Sequence, residues 1–334
     1  MKQNTTRKKR EGYRDRVLVT GASGFIGTNL LNALAREKIA LRALSRTYLT
    51  DSLEGLVDCM VIGDMATADC RRALEGVGAV VHLAARVHVM NDKSQSPLEE
   101  YRMVNVAGTL NLARQAAECG VRRFIFLSTV KVNGEETRKG KPFTETDLPN
   151  PSDPYAISKL EAEKGLLALS KQTGMEVVII RPPLVYGPGV KANFFRMIEW
   201  IYKGRPLPLG SVHNRRSLVA IDNLIDLIIC CIEHPAAKNQ VFFVSDGEDL
   251  STTDLLRRLA NALGTSAMLL PIPQHLLKMG FKMAGRNDLA KRLLGSLQVD
   301  ISKVKRLLGW QPVISKDEGF RQIAEWFLGL EDHR

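Results

Sequence analysis

Three glycines near the start of the chain constrain its fold more than any other feature. Gly21, Gly24 and Gly27 follow the short apolar run 17–20 at intervals of three residues, and a helical pattern comes next. A strand that turns through glycines into a helix aims free N–H groups at an anion. Gly21 permits the turn, Gly24 admits a pyrophosphate, and Gly27 lets the helix pack on the strand. The segment predicts a dinucleotide-binding unit; a glycine turn in another α/β protein is the alternative.

Composition limits the class of protein. The chain has 334 residues, of which 45% are hydrophobic and 25% are charged, enough for a sizeable core. Its five cysteines lack metal-ligand or CxxC spacing, so we expect reduced thiols, no metal site and a cytoplasmic protein. No stretch is apolar for long enough to span a bilayer, so no integral membrane segment is expected. The net charge of +11 suits a polyanion. Because no nucleic-acid motif accompanies it, we expect a phosphate-bearing small molecule and no nucleic acid.

The order of the predicted elements gives the fold class. Apolar strands alternate with helices up to residue 181, which is typical of an open, doubly wound parallel α/β sheet. Shorter elements punctuated by Pro and Gly follow Gly187, although 240–245 looks like one more strand of the sheet. We therefore predict a disordered basic tail at 1–15, a Rossmann domain at 16–186 plus 219–246, and a smaller, interleaved substrate-binding portion at 187–218 plus 247–330.

Two basic stretches allow more than one interpretation. For the tail, we favour the interpretation that its charged side chains are simply solvated, with contact to anionic lipid or RNA as the alternative. The stretch 273–295 alternates Leu and Met with Lys and Arg. It favours a cap helix over a substrate pocket, with docking on a membrane surface as the alternative.

The ends of three predicted strands bear on the dinucleotide. The second strand ends in Ser45 and Arg46, without the carboxylate that would hold the adenosine ribose of NAD. An arginine suits the extra phosphate of NADP(H), which we favour over NAD(H); Arg46 as a solvated loop residue is the alternative. Asp64 could bond the adenine amine or cap the next helix. Ala84 and Ala85, at the end of the fourth strand, leave room for a dinucleotide.

A tyrosine and a lysine could carry acid–base chemistry. Tyr155 and Lys159 lie four residues apart in a predicted helix, so they share one face. The ammonium, like a positive nicotinamide ring, should lower the pKa of the tyrosine. Tyr155 could then exchange a proton with a sugar oxygen that also bonds Thr129. Since this spacing is common by chance, a surface pair is the alternative. His82 is predicted to be packed and hydrogen-bonded instead of catalytic.

Seven segments, in this order along the chain, resemble the extended short-chain dehydrogenase/reductase family. They are residues 20–27, 63–64, 82–85, 105–109, 127–129, 155–159 and 181–188. The segments 216–222 and 308–312 look like its nucleotide-sugar branch, the NAD-dependent epimerase/dehydratase proteins. The resemblance covers nearly the whole chain from Arg16. It implies a UDP-sugar substrate and a homodimer that pairs through the helices after strands 4 and 5.

The resemblance also implies three sets of site residues. The catalytic set is Thr129, Tyr155 and Lys159. The cofactor-binding set is Gly21, Ser23, Gly24, Phe25, Ile26, Gly27, Ser45, Arg46, Asp64, Met65, Leu83, Ala84, Ala85, Asn105, Tyr155, Lys159 and Pro182. The substrate-binding set is Arg86, Lys131, Asn193 and Arg216, of which Arg216 reaches the substrate diphosphate.

Departures from the family pattern narrow the expected activity. Residues 129–131 read Thr-Val-Lys where sugar 4,6-dehydratases carry Thr-Asp-Glu, so dehydration is not expected. Residues 132–134 read Val-Asn-Gly where 4-epimerases carry Val-Tyr-Gly. Segments 85–92 and 130–135 resemble bacterial reductases that make UDP-N-acetylquinovosamine or UDP-N-acetylfucosamine for O-antigen. We expect an NAD(P)H-dependent reductase of the C4 ketone of a UDP-4-keto-6-deoxy-N-acetylhexosamine. The alternatives are a UDP-hexose (GlcNAc or Glc) 4-epimerase with tightly bound NAD, and a non-catalytic nucleotide sensor.

Overall fold

A seven-stranded parallel sheet forms the centre of the protein. The computed structural model describes residues 15–47, 57–87, 96–138 and 140–331; the predicted tail, apart from residue 15, lies outside them. The strands are β1 (Arg16–Thr20), β2 (Leu41–Ser45), β3 (Asp58–Val61), β4 (Val77–His82), β5 (Arg123–Leu127), β6 (Glu176–Arg181), β7 (Leu184–Tyr186), β8 (Arg216–Ala220), β9 (Gln240–Phe243) and β10 (Asp249–Leu250). The sheet runs β3-β2-β1-β4-β5-β6-β9 with every pair parallel. The predicted fold class and the predicted last strand near 240 are confirmed.

Helices cover both faces of this sheet. The helices of the described chain are α1 (Phe25–Arg36), α2 (Arg71–Leu74), α3 (Pro97–Arg102), α4 (Thr109–Glu118), α5 (Pro154–Thr173), α6 (Ala192–Tyr202), α7 (Ile221–Glu233), α8 (Thr252–Ala262), α9 (Gln274–Met283), α10 (Asn287–Leu294), α11 (Ser302–Leu308) and α12 (Lys316–Glu331). Apolar residues of α1 and α7 pack on one face of the sheet, and those of α4 and α5 pack on the other. Strands with apolar helices on both sides read as continuous apolar runs, as the sequence of these strands does.

A second, smaller core lies beyond the main sheet. Strands β10, β8 and β7 form a three-stranded sheet, with β10 antiparallel to β8 and β7 parallel to it. Apolar residues of α6, α8 and α12 pack with these strands. Strand β7 falls inside the range 16–186, and β8 straddles residue 219. The division into a cofactor domain and a substrate-binding portion stays a prediction.

The order of the strands in the main sheet indicates where a ligand binds. From β1 the chain builds the sheet toward β3, and from β4 it builds the sheet in the other direction, toward β9. The connections that leave β1 and β4 therefore run to opposite sides. Ligands of such sheets bind outside the carboxyl ends of the strands at this reversal. Among the described residues, no helix combines the length and the apolar character needed to cross a bilayer.

Candidate cofactor and catalytic site

The glycine turn between β1 and α1 brings backbone unusually close to backbone. Gly21 has a φ of +66°, and a Cβ there would lie 2.7 Å from the backbone nitrogen of Ala84. A Cβ on Gly27 would lie 2.2 Å from the carbonyl oxygen of Gly21. Gly24 is the N-cap of α1, and no side chain bonds the start of this helix. The open N–H groups at an exposed helix start fit the pyrophosphate of a dinucleotide.

Other residues predicted to bind the cofactor lie along the same edge of the sheet. Ser45 is buried at the end of β2, whereas Arg46 is exposed just beyond it. The carboxylate of Asp64 accepts the backbone N–H of Ala66 at 3.0 Å within a turn. It does not cap the next helix, because α2 begins at Arg71 with Cys70 as its N-cap. Ala84 and Ala85 follow β4 and are partly exposed. Contact of these side chains with a cofactor stays a prediction.

His82 is a structural residue, as the sequence analysis expects. It is 1% exposed, and its Nδ1 and Nε2 lie 2.7 Å and 2.9 Å from the hydroxyls of Thr20 and Thr109. Burial, with the charge of Lys159 as a smaller cause, lowers the pKa of His82 to about 3. The imidazole is therefore neutral in the folded protein and ties β1 and β4 to α4.

This neutral histidine predicts a loss of stability in acid. The unfolded chain binds a proton at His82 below its ordinary pKa of 6.5 and the folded chain does not until about 3, so stability falls as the pH drops through this window. The slope should be about 1.4 kcal/mol per pH unit. We expect urea unfolding of His82→Gln to show a shallower dependence between these pH values. An unchanged slope in the variant would mean that His82 protonates in the folded protein.

Asn105 organises the segment that follows β4. The chain from Pro97 to Glu118 forms α3, a π-helical turn (Met103–Gly108) and α4, and Asn105 is fully buried in this turn. Its amide accepts the N–H of Arg86 at 2.8 Å and donates to the Arg86 carbonyl at 3.1 Å and to Ser158 at 2.9 Å. Asn105 thus joins this segment to α5. Single π turns are frequent at functional sites.

The predicted catalytic residues converge at the carboxyl end of β5. Thr129 lies two residues past the strand, in extended backbone. Lys159 is 2% exposed, donates to the carbonyl of Leu127 at 2.8 Å, and lies 4.3 Å from the ring centroid of Phe126. Tyr155 opens α5 one turn before Lys159. Thr129 and Lys159 therefore share the carboxyl end of β5, and Tyr155 lies one turn before Lys159 in the same helix.

Burial controls the titration of the tyrosine and the lysine. It lowers the pKa of Lys159 to about 7, against the opposing charge of Glu163. It also raises the pKa of Tyr155, with smaller contributions from Asp153 and Tyr101. The expectation that Lys159 lowers the pKa of Tyr155 is therefore not met in this structure, because the lysine is directed at the Leu127 carbonyl and is itself desolvated.

The residues predicted to contact substrate are held by other protein groups. Arg86 pairs with Glu100 at 2.8 Å, and Lys131 pairs with Asp153 at 2.5 Å. Arg216 donates to the carbonyl of Gly295 at 3.0 Å, and burial lowers its pKa. Asn193 is exposed in the first turn of α6. Pro182, in the cofactor set, is buried, and its carbonyl accepts the N–H of Val130.

Two cavities lie beside these residues. One of about 250 Å³ is lined by residues of the loop after β5, among them Asn133, Gly134 and Asn150, and by Lys291. The other, of about 350 Å³, is lined by His213, Arg215, Gln274, Lys278 and Gly295, among others. Its basic side chains suit a phosphate-bearing ligand.

The sequence analysis missed three groups that support the site. Asp153 caps α5 by accepting the N–H of Ala156 at 2.7 Å, and it also holds Lys131. An Asp before a Pro is a helix-start signal, which could have revealed it. Ser158 bonds Asn105, and Glu163 forms a buried ion pair with Arg181. No local pattern marks those two residues.

Comparisons with known proteins agree with the geometry. The model of the NAD dependent epimerase/dehydratase family matches residues 17–245. A UDP-glucose 4-epimerase of Vibrio cholerae is 50% identical over 314 residues, 93% of this chain and 95% of that protein. A 3-beta-hydroxysteroid dehydrogenase of Mycolicibacterium neoaurum is 29% identical, over 95% of this chain and 92% of that protein. The structure of MoeE5 in complex with UDP-glucuronic acid and NAD superposes with a TM-score of 0.75, at 25% identity, over 94% of this chain and 99% of that one. The chain belongs to the NAD-dependent epimerase/dehydratase family.

Proposed function

We propose that this protein is a UDP-sugar 4-epimerase that uses NAD. The observation that carries the proposal is the position of Thr129 just past β5 and of Tyr155 and Lys159 one turn apart at the start of α5, with Lys159 bonded to the last carbonyl of β5, two strands from the glycine turn. The 50% identity to a UDP-glucose 4-epimerase over nearly the full length of both chains supports it. This proposal replaces the reductase that the sequence analysis favours with its first alternative.

The residues of the chain supply the proton chemistry. Tyr155 takes the proton of the sugar C4 hydroxyl, and it returns the proton to the same oxygen once the ketone has turned its other face to the hydride donor. Thr129 holds the same oxygen, and Lys159, one helical turn after the tyrosine, donates to the Leu127 carbonyl. NAD held at the glycine turn would supply the acceptor and donor of the C4 hydride, and its positive ring would favour the Tyr155 phenolate.

The diphosphate of the substrate fits the basic cavity. His213, Arg215 and Lys278 line it, and Arg216 bonds a backbone carbonyl of its wall. We infer that Arg215 and Arg216 neutralise the diphosphate, because guanidinium groups bind phosphate oxygens in pairs. Contact of Asn193 with the sugar stays part of this proposal.

NAD is the dinucleotide that we propose, although Arg46 suits NADP. MoeE5 was solved with NAD, and the family is described by that cofactor. Arg46 is exposed at the end of β2, where it can lie against the adenine of either dinucleotide. The 2′-phosphate argument remains the alternative.

The reductase is the second candidate, and Asn133 favours it. This residue stands where 4-epimerases carry a tyrosine. It is 3% exposed, and its carbonyl accepts from Arg181 at 2.9 Å. A side chain that fills this position and holds a buried arginine cannot supply a phenol to the sugar. The asparagine that replaces the tyrosine of 4-epimerases is therefore part of the buried packing of the site.

A homodimer and a cytoplasmic location complete the proposal. Met103 and Val104 are 52% and 42% exposed on the π-helical turn between α3 and α4, beside α5, and apolar side chains at such a position suit a partner copy. Light scattering would then give twice the monomer mass of 37.1 kDa.

One experiment separates the two enzymes. Purified protein is incubated with UDP-glucose and UDP-N-acetylglucosamine plus NAD, and separately with UDP-4-keto-6-deoxy-N-acetylglucosamine plus NADH or NADPH. We expect C4 epimers of the first two sugars and no net change in nicotinamide absorbance. Stoichiometric oxidation of NADH or NADPH by the keto-sugar, without epimers, would establish the reductase instead.

Titration of the same protein with NAD and NADP tests the choice of cofactor. If Arg46 binds the 2′-phosphate, Arg46→Ala should weaken the binding of NADP more than that of NAD.

A further inference from the structure

Helix α9 presents an apolar stripe to the outside of the protein. None of its residues is buried. Leu277 and Phe281 face inward, where they are partly buried and pack against the second core. Leu276, Met279 and Met283 are 45%, 56% and 83% exposed. Their spacing of three and four residues puts them on one face, away from the inward pair; we name these three residues the α9 outer face.

Exposed apolar side chains are concentrated in this helix and in the segment that precedes it in the sequence. Fifteen large apolar residues of the described chain are exposed, and five of them lie between residues 268 and 283. Besides the α9 outer face they are Met268 and Leu270, which flank the partly buried Leu269. Apolar residues scattered singly need no explanation, but such a concentration indicates a surface that another body covers.

The charge around the stripe identifies the kind of body. Residues 273–294 carry five Lys or Arg and a single acidic residue, Asp288. Lys291 is paired with Glu135, whereas Lys278, Lys282 and Arg286 are exposed. On the helix, Lys278 and Lys282 lie one turn apart, on a strip between the inward pair and the α9 outer face. An apolar strip bordered by cations matches the boundary between acyl chains and anionic headgroups.

We propose that the α9 outer face, together with Met268 and Leu270, docks on the surface of an anionic lipid bilayer. The helix lies in the plane of the membrane, with the methionines and leucines below the headgroups and the lysines at the lipid phosphates. Lys278 and Gln274 also line the basic cavity. Docking therefore places the mouth of the proposed diphosphate site beside the membrane.

The test measures binding of the full chain to vesicles by flotation. The vesicles are phosphatidylcholine alone or phosphatidylcholine mixed with phosphatidylglycerol. The variants are Met279→Gln/Met283→Gln, which removes apolar contact, and Lys282→Gln/Arg286→Gln, which removes charge outside the cavity. Lys305→Gln/Arg306→Gln removes the same charges from the exposed end of α11 and is the matched control. A chain that starts at residue 15 separates the contribution of the basic tail.

We expect binding to the mixed vesicles that weakens with salt. The methionine pair should weaken it about tenfold and the Lys282/Arg286 pair about twentyfold, while the α11 pair leaves it unchanged. Epimerase or reductase turnover of a soluble UDP-sugar serves as the folding check for each variant. Absence of binding to the mixed vesicles would overturn the proposal. Binding that depends on the tail and not on α9, or a change of oligomeric state in the methionine variant, would overturn it in favour of the tail or of a second copy.

Discussion

Replacing Tyr155 with phenylalanine should lower kcat about a thousandfold, because it removes the phenol that takes and returns the substrate proton in the proposed reaction. The ring remains in place, so its edge contact with Tyr101, 6.1 Å between centroids, is kept. The phenol forms no part of the glycine turn, so NAD should still bind, with at most the loss expected for one hydrogen bond of the predicted cofactor-binding set, less than about tenfold in affinity. Turnover of UDP-glucose and the NAD dissociation constant measure the two effects separately.

Tyr101→Phe is the matched control for this substitution. It deletes the same oxygen from the neighbouring ring, where the hydroxyl donates to the carbonyl of Val87 at 3.2 Å. Loss of one such bond should change kcat by less than about tenfold. A Tyr155→Phe enzyme that keeps its rate, or one that loses it together with NAD binding, would contradict the assignment of the proton to Tyr155.

The fold could be predicted because its determinants are local. Most strands of the main sheet are short apolar runs, and glycines, prolines and helix caps mark several of the turns between the elements. The π-helical turn at Met103–Gly108 escaped prediction. It depends on the bonds of Asn105 to Arg86 and Ser158, which join residues distant in sequence.

The sequence predicts where the residues of the candidate site lie, but not the pKa values or the ion pairs of their side chains. The spacing of Tyr155 and Lys159 places them on one face of α5, which holds in the structure. Their pKa values depend on desolvation, which a sequence does not state. Likewise Lys131 and Arg216 carry the expected charges, but each is bonded to a protein group that only the fold brings near.

A buried ion pair behind the site carries the largest expected effect on stability. Arg181 on β6 and Glu163 on α5 have side chains that are 6% and 2% exposed. The guanidinium donates to both carboxylate oxygens, at 3.0 Å and 2.5 Å, and to the Asn133 carbonyl at 2.9 Å. The pair therefore fixes α5 and the loop after Thr129 on one strand.

Glu163→Gln should destabilise the protein by about 3–5 kcal/mol, because it leaves the Arg181 cation buried without its counter-charge. The double variant Glu163→Leu/Arg181→Met removes both charges and should recover most of this loss, apart from about 1–3 kcal/mol for the Asn133 carbonyl that loses its donor. Urea unfolding measures all three proteins. Glu318→Gln, which breaks an exposed pair with Arg321 on α12, should leave the midpoint unchanged.

If Glu163→Gln unfolds at the same urea concentration as the parent, water reaches Arg181 and the pair does not hold the loop. If the double variant is as unstable as Glu163→Gln, packing at these two positions matters more than charge.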